Sequence, residues 1–164
     1  MTSSTAWYDE TGAGPSESAT SNGNFESVDA HDTGVLYQSN PIAQPGSVTV
    51  YSYERVLVLK WTGSYNSIDT VKFWKSGGSL SDVNLVLKVG TPVANAYAAP
   101  INTVSTIATT TMPTVVGSAF AVTTTGSAPT INTYYIYTQL QVPITVVTPG
   151  DIGSQTYTLQ WNEA

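Results

Sequence analysis

The sequence predicts an all-β protein, a single antiparallel β-sandwich of about eight strands with an extended N-terminal arm. Short stretches in which apolar and polar residues alternate recur from residue 47 onward, and this is the period of half-buried strands. These stretches are rich in Thr, Val, Tyr and Ile, which favour strands, and Gly and Pro separate them. No stretch has the helical period, so the alternating helices of a parallel α/β sheet are not expected.

The first 46 residues differ from the rest and are predicted to form the arm, with the sandwich spanning residues 47–164. They contain six acidic residues and no basic residue, and they are rich in Ser, Gly, Asn and Thr, a composition that disfavours independent folding. Separated apolar side chains leave two interpretations open, a solvated tail or an extended arm that becomes ordered on a neighbouring subunit. In the second interpretation the anchors on the partner are Trp7, Tyr8, Phe25, Leu36 and Tyr37.

The first half of the sandwich contains four predicted strands. Residues 47–52 form a short strand, and residues 53–62 form a longer one whose continuous apolar run indicates a central strand covered on both faces. After a turn, residues 68–75 form the third strand, and residues 83–89 form the fourth. The side chains of the fourth strand that are predicted to face inward are Val83, Leu85, Leu87 and Val89.

The second half begins with a Pro- and Thr-rich stretch in which one weak strand is predicted at residues 103–108. Further strands are predicted at residues 118–123, 133–142 and 155–162. Alternation in the strand at 133–142 directs Tyr135 and Tyr137 to an otherwise polar face, so they are predicted to form an exposed aromatic pair suited to a protein interface. Other aromatic side chains are predicted to fill the core or a subunit seam: Trp61, Phe73, Trp74 and Trp161.

Charge is unevenly distributed and argues against two classes of partner. All five basic residues lie between Arg55 and Lys88, residues 89–150 contain no charged side chain, and the net charge is −6. Phosphate binding needs clustered basic residues, so nucleic acid is not an expected partner. The apolar runs are far shorter than the roughly 20 residues that span a bilayer, so a membrane is not expected either. The uncharged stretch favours packing against other protein.

Catalytic residues, metal ligands and cofactors are not predicted. The chain has no cysteine and a single histidine, His31, which lies in the acidic segment and is expected to be exposed. A zinc site needs more nitrogen or sulfur ligands than this. Asp29 and Asp32 lack the spacing of a calcium-binding loop, and Glu54 beside Arg55 is interpreted as half of an ion pair rather than as an acid catalyst.

Two segments of the body resemble small β-sandwich virion proteins of tailed bacteriophages. They are the run SVTVYSYERVLVLKWTG from residue 47, followed by IDTVKFWK from residue 68, and the closing YTLQWNEA from residue 157. The resemblance, which covers residues 47–90 and 155–164, implies an immunoglobulin-like or jelly-roll sandwich without enzymatic activity. Proteins of this class decorate capsids, join heads to tails or form parts of tails, and extended arms commonly connect their subunits.

The predicted function is that of a non-enzymatic structural protein of a bacteriophage virion, with capsid decoration preferred over a head–tail neck or tail role. Its expected partners are the major capsid protein and copies of itself, as a homo-oligomer within an assembly. Residues 1–7 lack the basic and apolar segments of a signal peptide, so synthesis in the host cytoplasm is expected. The alternative of another class is a carbohydrate- or cell-surface-binding module that stacks ligands on Tyr135, Tyr137 or Trp74.

Overall fold

The computed structural model describes residues 2–21, 23–146 and 152–164, apart from the side chains of Thr2 and Tyr37. In these ranges the chain forms two antiparallel sheets, a four-residue helix α1 (Leu36–Ser39) and a 3-10 turn (Val116–Ser118). The strands are β1 (Thr2–Thr11), β2 (Ser16–Ala19), β3 (Val50–Tyr51), β4 (Arg55–Ser64), β5 (Ile68–Gly77), β6 (Val86–Gly90), β7 (Thr110–Thr111), β8 (Phe120–Val122), β9 (Thr124–Ser127), β10 (Thr130–Thr133), β11 (Ile136–Val142) and β12 (Thr156–Glu163). The all-β, antiparallel, sandwich-like fold is confirmed, with twelve strands in the described ranges rather than about eight.

Strand β4 lies at the centre of the larger sheet. That sheet has nine strands in the order β2-β1-β4-β11-β6-β7, with β10 also paired to β4 and β9, and with β3 paired to β11. The smaller sheet has three strands in the order β12-β5-β8. Five consecutive residues from the start of β4 are buried, which confirms the central position predicted from its apolar run.

The main hydrophobic core joins side chains of both sheets. Alternate residues of β4, Leu57, Leu59 and Trp61, belong to it together with Phe73 of β5. Trp61 is completely buried and meets Trp161 of β12 edge to face, with the ring centroids 5.5 Å apart. Trp61 and Phe73 therefore fill the core as predicted, because the two sheets present their apolar faces to each other.

The opposite face of the larger sheet is covered by a loop rather than by a strand. Gln139 of β11 is completely buried, and its amide N–H groups donate to the carbonyl oxygens of Thr103, at 2.8 Å, and Ser52, at 3.1 Å. Its Oε1 accepts the N–H of Ser105 at 3.2 Å. The prediction of a strand at 103–108 is wrong, because side chains of the sheet satisfy the backbone groups that a neighbouring strand would otherwise pair.

The inward position predicted for Val83 is also wrong. Its side chain is 95% exposed, whereas Leu85, Leu87 and Val89 are buried as predicted. The carboxylate of Asp82 accepts the N–H of Asn84 at 2.8 Å, and this local hydrogen bond forms a turn in place of the strand. Strand β6 consequently begins only at Val86.

The N-terminal segment is part of the larger sheet, which differs from an arm detached from the sandwich. Strand β1 pairs with β4 in continuous register from Thr2 opposite Ser64 to Glu10 opposite Val56. Strand β2 folds back on β1 as a hairpin, and Phe25 is buried in the main core. A domain boundary at residue 46 would therefore divide one sheet, because β4 needs β1 to pair one of its edges.

Candidate functional site

The five predicted anchors are placed differently from one another. Trp7 packs against Phe73 across the core, with 6.2 Å between ring centroids, and Phe25 is buried. The ring of Tyr8 lies under the ammonium of Lys60, 4.5 Å from the ring centroid, and Leu36 is half-buried in α1. The side chain of Tyr37 lies outside the described residues. Trp7 and Phe25 thus pack against the core of their own chain.

Tyr135 and Tyr137 do not form an exposed aromatic pair. Tyr137 is completely buried, and its hydroxyl donates to the carbonyl of Ala98 and accepts the N–H of the same residue, both at 2.7 Å. Burial raises the pKa of this phenol to about 12. Tyr135 is half-buried and meets Tyr97 edge to face at 5.4 Å. The prediction is wrong because the loop that holds Ala98 covers the face that alternation alone assigns to solvent.

A buried ion pair connects the N-terminal strand to the centre of the larger sheet. Asp9 Oδ2 lies 2.7 Å from Arg55 Nη2, and both side chains are almost completely buried. Arg55 Nη1 donates to the carbonyl of Ala30 at 2.7 Å, and Asp32 N–H donates to Asp9 Oδ2 at 3.1 Å. The partner of Arg55 is therefore Asp9 and not Glu54, whose side chain lies on the opposite face of the strand pair. The sequence signal for this pair was a basic residue at the start of an apolar run, because a buried guanidinium needs a carboxylate.

His31 belongs to the same network and is not freely exposed. Its Nδ1 lies 2.9 Å from Asp9 Oδ1, and its Nε2 lies 3.4 Å from the hydroxyl oxygens of Thr11 and Ser16. The order carboxylate, imidazole, hydroxyl is that of a hydrolytic triad. The hydroxyl distances exceed the 2.6–3.2 Å within which a base activates a nucleophile, and the carboxylate is neutralised by Arg55. We assign the network a structural role.

The pKa values of two buried carboxyl groups are raised to near neutral pH. Glu26 is completely buried, and neither carboxyl oxygen has a hydrogen-bond partner among the described residues. Burial raises its pKa to about 7, although Arg55 opposes the shift. Glu10 is buried opposite Glu17 in the hairpin, and burial together with the charge of Glu17 raises its pKa to about 7. A protonated acid is the form that burial favours, since an isolated buried charge is costly.

The remaining acidic residues of interest stabilise loops. Asp32 accepts the N–H groups of Asn24 at 2.7 Å and Gly34 at 2.6 Å, and Asp29 accepts the N–H of Gly12 at 2.9 Å. Glu54 accepts the hydroxyl of Ser105 and the N–H of Ile101, and burial raises its pKa. Among the described residues no group of three or more acidic or imidazole side chains is arranged to hold a metal ion.

A cleft of about 470 Å³ lies where the start of strand β12, with the residues just before it, approaches β1 and β5. Aromatic and apolar side chains form one part of its lining, among them Trp7, Phe73 and Tyr157. Short polar side chains and backbone form the remainder: Thr20, Ser21, Gly23, Asn24, Gly153, Ser154, Gln155 and Thr156. Sequence reasoning missed this cleft, because Trp7 and Tyr157 are 150 residues apart and only the pairing of β5 with β12 brings them together.

Comparison of the chain with protein-family models, with curated proteins and with solved structures found no match. None of the helices in the described part of the chain has the length and apolar character needed to cross a bilayer.

Proposed function

We propose that the protein is a non-enzymatic structural component of a bacteriophage virion that acts through protein–protein contacts, with capsid decoration preferred over a neck or tail position. The observation that carries the proposal is the surface of the described part of the uncharged segment, residues 89–146. Large apolar side chains are exposed on it: Val93, Val104, Val115, Val116 and Ile144. A neutral surface with exposed apolar side chains suits contact with another protein better than it suits a charged ligand.

The structure changes the mechanism expected for these contacts. A docking role for the acidic residues of the N-terminal segment would need free carboxylates, but Asp9, Glu10 and Glu26 are buried within the chain. We therefore assign the contacts with the major capsid protein and with further copies of the chain to the uncharged part of the sandwich. The adjacent pair Val115 and Val116, at the 3-10 turn beside β5, is the best-defined element of that surface.

Co-sedimentation of the purified full chain with phage heads tests the proposal. Heads from a lysate in which the chain is detected should retain the wild-type protein, and a Val115→Ser/Val116→Ser variant should bind more weakly. Val83→Ser is the control, because Val83 is even more exposed, at 95% against 58% for Val115 and 47% for Val116, but lies among the charged residues. Absence of the chain from purified particles would contradict the proposal.

The oligomeric state of the isolated chain separates the two positions within a particle. A stable ring in size-exclusion chromatography with light scattering supports the head–tail neck, since a ring buries the uncharged surface between subunits. A monomer or small oligomer that binds purified heads supports decoration.

A further inference from the structure

Strand β12 lies at the edge of the smaller sheet and lacks the features that usually protect an edge. It pairs with β5 on one side, and no strand among the described residues pairs with its other side. Natural sheets protect such edges with short strands, Lys, Pro or bulges, because unpaired N–H and C=O groups accept another strand. Strand β12 has eight residues, contains neither Lys nor Pro, and carries one charge, at its last residue, Glu163.

The other edge strands in the described ranges are shorter than β12. Strands β2 and β9 have four residues each, β8 has three, and β3 and β7 have two each. The pairing of β12 with β5 is irregular in two places, but the additional residues, Ser76 and Thr70, belong to β5. Strand β12 therefore keeps a regular alternation over its whole length and is the edge best suited to further pairing.

The inward-facing side chains of β12 show that the sandwich is open along this edge. Tyr157, Leu159 and Trp161 pack against the main core but are only half-buried. Val71 and Phe73, on the neighbouring strand β5, are almost completely buried. A strand added beside β12 would cover the three half-buried side chains and pair the backbone groups of the edge, as in other cases of strand addition.

We propose that β12 pairs in antiparallel orientation with β12 of a second copy of the chain, so that two three-stranded sheets become one continuous sheet across a two-fold axis. An axis at Leu159 places Tyr157 opposite Trp161, and Thr158 opposite Gln160, of the other copy. Residues directly opposite each other share a face of an antiparallel pair. Apolar side chains then meet on the inner face and polar side chains on the outer face, and no two charges oppose each other.

The pattern of β12 favours a second copy as the occupant of this edge. The partner strand has to alternate apolar and polar side chains in the same phase, since a shift of one residue would reverse the two faces. Residues 156–162 meet this requirement for themselves, because their apolar positions are symmetric about Leu159 and none of them is charged. An isologous contact of this kind is the commonest one in homo-oligomers. It lies outside the uncharged surface of residues 89–146 and does not depend on a position in a virion.

Size-exclusion chromatography with light scattering tests the proposal on the purified full chain over about a hundredfold range of concentration. We expect a dimer that dissociates on dilution, and amide hydrogen exchange in residues 156–162 that is faster in the monomer than in the dimer. A wild-type chain that stays monomeric over the whole range overturns the proposal.

A variant with charges on the outer face of β12 tests which surface forms the dimer. Thr158→Glu/Gln160→Glu places carboxylates opposite each other across the axis, and like charges in that arrangement are destabilising. Within one chain Gln160 lies opposite Lys72, so the subunit itself tolerates the change at this position. We expect the circular-dichroism spectrum of the wild type and loss of the dimer. Thr125→Glu/Ser127→Glu, on the exposed edge strand β9, is the matched control and should remain dimeric.

A charge-reversed variant tests the pairing of β12 with itself. Thr158→Lys/Gln160→Lys should also be monomeric when it is alone. An equimolar mixture of the Lys and Glu variants should form a heterodimer, because opposite charges then face each other across the axis. The proposal is overturned if the Glu variant remains dimeric or if the mixture stays monomeric.

Discussion

Two segments of this chain are attached to the central strands of the larger sheet, one by strand pairing with a buried ion pair and the other by side-chain hydrogen bonds to a loop. The N-terminal segment, rich in acidic residues, pairs as β1 with β4 and is connected to it by the buried Asp9–Arg55 ion pair. The segment between β6 and β7 contains no charge and no strand, and it is held by side-chain hydrogen bonds from Gln139, Tyr137 and the buried carboxyl group of Glu54. The hydrophobicity and charge of a segment therefore do not decide whether it joins the sheet as a strand. That depends on the side chains of the sheet that it contacts, which are Arg55 for β1 and Gln139 and Tyr137 for the uncharged segment.

Breaking the Asp9–Arg55 ion pair should lower the free energy of unfolding more than any other change considered for the two segments. Replacement Arg55→Met leaves the carboxylate of Asp9 buried without its guanidinium, and we expect the free energy of unfolding to fall by about 3–5 kcal/mol. Urea denaturation at pH 7 measures the change. Lys72→Met, on the half-exposed surface of β5, is the control and should alter stability by less than about 0.5 kcal/mol.

The double variant Asp9→Asn/Arg55→Met sharpens this test. It removes both charges, so part of the lost stability should return. Equal stability of Arg55→Met and the control would mean that the pair does not hold β1 in the sheet.

Removing the side chain of Gln139 should have the next largest effect, in the uncharged segment. Gln139→Ala leaves the carbonyl of Thr103 and the N–H of Ser105 without partners, and each such loss costs about 1–3 kcal/mol. We expect destabilisation of at least about 2 kcal/mol, with faster amide hydrogen exchange in residues 101–108. Gln141→Ala, on the same strand but half-exposed, should leave exchange in that loop unchanged.

The stability of the protein should depend on pH through Glu10 and Glu26 of the N-terminal segment. The pKa of each is raised by burial to about 7 in the folded state, from 4.5 in an exposed glutamate. Their contribution to stability is therefore fully present below about pH 4.5 and is lost as the pH rises through about 7, because the folded state then binds more protons than the unfolded state. The loss is on the order of 1–3 kcal/mol for Glu26.

The variant Glu26→Gln tests this dependence because it keeps the shape of the neutral acid. Unfolding free energies between pH 4.5 and 8 should fall less steeply for this variant than for the wild type. Asp69→Asn, an exposed carboxylate on β5, should leave the slope unchanged. An identical slope in Glu26→Gln and the wild type would show that Glu26 does not contribute to the pH dependence of stability.

The smallest effect is expected at His31, which is half-exposed. His31→Gln should lower the free energy of unfolding by less than about 1 kcal/mol. With p-nitrophenyl acetate as the substrate we expect no saturable hydrolysis by the wild type. A saturable rate that His31→Gln abolished would contradict the structural role assigned to Asp9, His31 and Ser16.

The parts of the fold that could be predicted are those in which local pattern and burial agree. In β4 and β5 the apolar residues follow the period of a strand, and Trp61 and Phe73 are buried as their size and position indicate. The pattern failed where a distant segment changes the environment of a residue. Tyr137 alternates to a face that is polar in sequence, but the loop around Ala98 covers it.

The candidate site could not be predicted at all from local pattern. The sequence predicts Trp7 to be an isolated anchor and Tyr157 to be an ordinary strand residue. Their rings both contact Phe73 only because β1 and β12 pack around β5. The burial of the Tyr157 hydroxyl, which has no hydrogen-bond partner among the described residues, results from that packing as well.

The sequence by itself determined the fold class and the neutrality of residues 89–150, because strand period, turn residues and charge are local quantities that require no partner. Tertiary structure alone decided that Asp9 meets Arg55, that Gln139 holds a loop and that Trp7 and Tyr157 line one cleft. These features depend on which distant residues are brought within hydrogen-bond and van der Waals distance. A buried charged or polar side chain lowers the stability of the fold when it has no partner and is tolerated when a partner is present.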